Sequence, residues 1–154
     1  MLSETEQKAI QEKLEQLRKV KDGILSIQEL TDLITQRRVN WMKEHKDEIL
    51  AKYQGLPLVE IAWRAVCFDN MHINPADSRM TRISDKKIRI DSYNFCPYLE
   101  ACKQLGLDTR YICKEIESSV QKMNEVLDPR LKFSRNYVNI RPHSNFCEEY
   151  LELL

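Results

Sequence analysis

Between Met80 and Tyr93 the spacing of apolar residues changes, and that change decides the fold class. The chain before it carries apolar residues three and four apart, the repeat of a helix with one buried face. The runs MTRIS and KIRIDSY instead alternate apolar and polar residues around Ser84-Asp85-Lys86, which is the pattern of a β-hairpin. Ile83, Ile88 and Ile90 are expected on one side. Arg79, Arg82, Lys86, Lys87 and Arg89 are expected on the other side or at the turn. Helical spacing returns after the hairpin. The expected class is therefore α+β, mostly helical, with the helices packed on a small antiparallel sheet.

The helices carry their own start and stop signals. Ser3 with Glu6, and Ser26 with Glu29, are capping boxes, in which each side chain satisfies a backbone donor at a helix start. They open helices over Ser3 to Lys21 and Ser26 to about Tyr53. Ile10, Leu14 and Leu17 form the first apolar face, and Leu30, Leu33, Ile34, Trp41 and Ile49 the second. His45 sits in the polar block KEHKDE and reads as exposed. Pro57 opens a third helix to about Asn70, in which Cys67 reads as a buried apolar thiol. Cys96-Pro97 starts a short helix that stops at Gly106, and Asp108 caps another through about Leu127. Leu131 to Ile140 alternates as a strand. Cys147 to Leu153 fits either a strand or a short helix.

One domain over residues 1–154 is expected, long enough to bury a core. Residues 1–54 would form a helical hairpin and 56–154 the α+β core. The narrow apolar stripe of the first helix suits packing on a partner helix, so the N-terminal helices are candidates for a homodimer contact. The 24 basic and 24 acidic residues cancel, which disfavours nucleic acid as a partner. No apolar run approaches the length of about 18 residues that a membrane helix needs. The polar start MLSETEQKAIQ carries no secretory signal. A cytoplasmic location with reduced thiols is therefore expected, and the odd count of five cysteines agrees with it.

Four of those cysteines, Cys96, Cys102, Cys113 and Cys147, fall in the stretch Phe95 to Cys147. Cys102 lies four residues from Tyr98 on one helix face and reads as core. Cys96 is an N-cap residue, where the helix dipole favours a thiolate. Cys96, Cys113 and Cys147 each start or flank an element, and Arg135, Arg141 and His143 lie nearby in sequence. No CxxC pair occurs, so a zinc finger is not indicated. Two chemistries remain open. The three thiols are candidates for a nucleophilic site, or for holding zinc or another thiophilic metal with His143 or water.

The segments FCPYLEACKQLGLDTRYICKEI and LDPRLKFSRNYVNIRPHSNFCEEY resemble the C-terminal half of the L-2-amino-thiazoline-4-carboxylic acid hydrolase family. The shared features are Cys96 before a short helix, Leu105-Gly106-Leu107, Cys113, Asp128-Pro129, Phe133 to Arg135, and Cys147. The likeness runs from roughly Tyr93 to Tyr150. Glu115 is the nearest counterpart of the family's acidic residue after its second cysteine. Arg141-Pro142-His143-Ser144 replaces a turn of small residues. The resemblance implies helices on a small antiparallel sheet and a hydrolase that opens the ring of a cyclic amidine.

The residues then take expected roles. Cys96, Cys113 or Cys147 would attack or hold a metal, and His143 or His72 would move protons. Arg135 and Arg141, with His72, would bind a small carboxylate substrate. The alternative is a non-catalytic cysteine-rich module that binds a metal or small ligand and acts through a partner.

Overall fold

The computed structural model describes all 154 residues. Five α-helices pack with one four-stranded antiparallel sheet. In chain order they are α1 (Glu4–Lys21), α2 (Ile27–Lys52), α3 (Leu58–Arg64), β1 (Ser78–Ser84), β2 (Lys87–Ser92), α4 (Pro97–Leu105), α5 (Thr109–Leu127), β3 (Leu131–Asn136) and β4 (Cys147–Leu153). No helix is long and apolar enough to cross a membrane. Both capping boxes form with their reciprocal bonds, so α1 and α2 start where the sequence places them.

The sheet order is β1-β2-β4-β3. The last strand to be read from the sequence is therefore central. It pairs Ile88 with Leu151, Ile90 with Glu149 and Ser92 with Cys147 on one side, and Phe133 with Leu151 and Arg135 with Glu149 on the other. Because side chains alternate along a strand, Cys147, Glu149 and Leu151 share the inward face. The open choice at Cys147–Leu153 resolves as strand. Ile88 and Ile90 are buried as expected, but Ile83 is exposed. Met80 and Arg82 lie opposite Ile90 and Ile88 and take the inward face, so Ile83, one residue out of phase with them, points outward.

Two apolar clusters build the core. The larger joins Met42 and Ile49 of α2, α3, the inward face of the sheet, and Val120, Met123 and Leu127 of α5. The smaller joins Ile10, Leu14 and Leu17 of α1, Leu30 and Ile34 of α2, Ala101 and Cys102 of α4, and Ile112 and Ile116 of α5. Each fully buried Leu or Ile contributes about 1.5–3 kcal/mol of transfer free energy. α1 packs mainly on α4 rather than on α2, and α2 packs on α5. The expected separation into a 1–54 hairpin and a 56–154 core is thus replaced by helices that cross between the two parts. The α1 stripe is covered by its own chain. Leu33, expected on the α2 face, is exposed, and Met42 is fully buried instead.

The third helix is not regular to its end. After Arg64 the backbone widens into a π segment, Ala65–Asn70. Such insertions re-aim side chains and recur at functional sites.

Candidate functional site

Along α5 the apolar ridge serves the smaller cluster through Ile116 and the larger from Val120. Ser119 lies at the break, fully buried. Along α2, Arg38 falls between Ile34 of one cluster and Met42 of the other. At this junction a cavity of about 120 Å³ opens, walled by α2, the π segment, α5 and the inward face of the sheet. Its apolar lining includes Trp63, Val66, Ile90, Val120, Phe133 and Leu151. Its polar lining holds Cys67, Cys96, Cys113 and Cys147, three arginines, and Glu149 as the one acidic side chain.

Each polar group is fixed by the element that carries it. The sulfur of Cys147 accepts from Arg141 twice, from Nε at 3.3 Å and from the backbone N–H at 3.5 Å. Arg141 Nη1 also donates to the carbonyl of Asn94. Glu149 accepts from Ser92 Oγ at 2.8 Å and from Arg135 Nε at 3.2 Å. Arg135 Nη1 donates to the Cys113 carbonyl at 3.4 Å. Arg38 Nη1 donates to Ser119 Oγ at 2.6 Å, and Ser119 in turn donates to the Ile116 carbonyl at 2.6 Å.

Burial dominates three of the four cavity thiols. It pushes Cys113 up to about 12, with the Arg135 guanidinium working against it. It raises Cys67 as well, with Glu149 adding to the effect. Cys96 does occupy the N-cap of α4, as the sequence indicates. Its thiol is nevertheless raised, because loss of water outweighs the Leu99 and Tyr98 backbone N–H groups and the Arg141 charge. The thiolate expected at this helix start is therefore corrected: desolvation wins over the dipole. Burial also opposes the charge of Arg135, but Glu149 and Cys113 outweigh it and the net direction is up.

The structure thus brings Cys96, Cys113, Cys147, Arg135 and Arg141 to one cavity. No group of three or more His, Cys, Asp or Glu side chains converges to hold a metal ion. The expected zinc or other thiophilic-metal centre of Cys96, Cys113 and Cys147 is corrected on that ground. Each sulfur is tied to a different element, and the three line a wall without forming a ligand set. His143 is exposed and does not line the cavity. Neither does His72, which is exposed with φ of 54° and lies in a second pocket beside Trp41, Asp69 and His45. His45, read as exposed, is half-buried. Its ring stacks on Trp41 at 4.4 Å, and its Nδ1 lies 2.8 Å from the Trp41 carbonyl.

Sequence reasoning missed Arg38, Glu149 and the cavity position of Cys67. Alternation along β4 would have placed Glu149 beside Cys147. The π segment that turns Cys67 to the cavity leaves no mark in the residue pattern.

No family model, curated protein or solved structure matches this chain. The functional reading therefore rests on the cavity and on the residues of its C-terminal half.

Proposed function

We propose that the protein is a small hydrolase-like enzyme that opens a C–N or C–S bond of a small carboxylate, such as a cyclic amidine of the 2-aminothiazoline-4-carboxylate kind. The observation that carries this reading is the Cys147 sulfur in the cavity wall, with two Arg141 N–H groups directed at it. Cationic and N–H donors around a sulfur support its use as a nucleophile. Among the lining thiols, Cys147 takes this role in preference to Cys96 and Cys113, which burial holds in the thiol form.

The sulfur adds to the amidine carbon between nitrogen and sulfur. Collapse of the adduct breaks the ring C–S bond, and the leaving sulfur takes a proton. Water then adds to the carbon held on Cys147, loses a proton to Glu149, and expels the Cys147 sulfur. Glu149 suits the base role because it is the cavity's one carboxylate and is oriented by Ser92 and Arg135. His143 and His72, away from the cavity, have no part in this scheme.

Turnover of 2-aminothiazoline-4-carboxylate, followed by release of free thiol, tests the reading. Cys147→Ser is expected to abolish it, and Glu149→Gln to lower kcat roughly a hundredfold or more. Full activity in Cys147→Ser would overturn the nucleophile assignment. Ligand binding without turnover in the wild type would favour the alternative, a non-catalytic binding module.

A further inference from the structure

Three guanidinium groups face the cavity, against one carboxylate. Two of them are already engaged. Arg135 is paired with Glu149, and Arg141 is committed to the Cys147 sulfur and the Asn94 carbonyl. Arg38 differs. Its only hydrogen bond is to the neutral hydroxyl of Ser119, and it makes no ion pair. Arg38 is half-buried, and a partly desolvated guanidinium with no counter-ion favours an anionic partner. Its fork has five N–H donors, of which one is occupied, and the planar fork matches a carboxylate in two parallel bonds.

We infer that Arg38 is the residue that holds the carboxylate of the ligand, and that the ligand is a monocarboxylate built on a single small ring. The inference rests on reading this cavity as a small-carboxylate site. It moves the binding role from Arg135 and Arg141 to a residue on α2. Ser119 and the Ile116 carbonyl behind it fix one edge of the guanidinium and leave the other edge for the ligand. The charge count fits one anion on Arg38 together with a Cys147 sulfur that carries charge during attack. The size limit follows from the volume. An apolar cavity of about 150 Å³ takes benzene, so about 120 Å³ leaves room for no more than one small ring.

The test is titration calorimetry of the full chain with thiazole-4-carboxylate and its neutral isostere thiazole-4-carboxamide. The wild type is expected to bind the carboxylate roughly ten- to a hundredfold more tightly than the carboxamide, the range for a hydrogen-bonded charge. Arg38→Gln should remove that preference, and Arg38→Lys should retain part of it. Cys147→Ser should keep it in full. A second readout covers a variant that folds poorly: the carboxylate should slow alkylation of Cys147 by iodoacetamide in the wild type, and the carboxamide should not. Equal binding of the two probes, no binding of the carboxylate at millimolar concentration, or undiminished preference in a folded Arg38→Gln would each overturn the inference. The two readings fail separately. Turnover that survives Cys147→Ser removes the enzyme mechanism and leaves Arg38 in place. A required Cys147 with no charge preference removes Arg38 and leaves the thiol chemistry.

Discussion

Four thiols share one cavity, yet their surroundings give them different chemistry. Cys147 receives two N–H donors, while burial pushes Cys113 up to about 12 and raises Cys96 and Cys67. Iodoacetamide at neutral pH should therefore modify Cys147 before the other three, read by peptide mapping. First labelling at Cys113 would contradict the assignment. On the outer face of the sheet, Glu148 accepts from Tyr150, from Asn139 at 2.8 Å and from Asn136 at 3.4 Å, with Arg89 at 3.5 Å. The Tyr150 hydroxyl, opposed by burial and helped by Asn139, Asn136 and Arg89, holds this carboxyl below its ordinary value. The unfolded chain thus binds more protons here, so the contribution is fully present above the ordinary carboxylate value and is lost as pH falls through the lowered one. Glu148→Gln should cost on the order of 1–3 kcal/mol at neutral pH, with the gap to wild type closing in acid. Urea unfolding across pH checks this, and a gap that widens in acid would refute it. At this scale the sequence was informative where a residue opens or closes an element. Cys96 was placed correctly at its helix start, but its charge state was not, because desolvation depends on what packs around it. Arg38 was hidden because one arginine on a charged helix looks like any other until its neighbours are known.

Helix ends are the elements whose chemistry can be tested alone. Ser26 accepts from the Glu29 N–H at 3.0 Å, so Ser26→Ala should cost about 1 kcal/mol. Gly106 ends α4 with φ of 67°, and a Cβ there would meet nothing within 4 Å. Gly106→Ala should therefore cost about 1 kcal/mol through backbone strain alone. Denaturant midpoints read both, and an unchanged midpoint in either variant would show that the cap is idle. The capping boxes, the hairpin and the stop at Gly106 were legible because local chemistry specifies them. The π segment and the shift between Arg82 and Ser84 were not. Both depend on tertiary packing, and so the cavity position of Cys67 escaped the residue pattern, whereas Ile83 is exposed because it is out of phase with Met80 and Arg82, which face Ile90 and Ile88.

Across the whole molecule, α2 and α5 each contribute to both apolar clusters, and the cavity sits where the clusters meet. Damage in one cluster should therefore be felt in the other. Leu14 is buried in the smaller cluster, whereas both tryptophans belong to the larger or pack against it. Leu14→Ala should cost about 2–5 kcal/mol. It should shift the tryptophan fluorescence and far-ultraviolet dichroism midpoints together. Separate transitions would mean that the clusters unfold independently. The α+β class was readable from the change of period at Met80, since periodicity reports which face is buried. Strand order was not readable, because pairing is a long-range choice. That order has a consequence for biosynthesis. β4 fills the gap between β2 and β3 and brings both Cys147 and Glu149 to the site. On the ribosome, the nascent chain must carry the hairpin with one strand edge unsatisfied until residues 147–153 are made. A stalled or shortened transcript would thus yield a sticky, inert polypeptide and a ready client for chaperones.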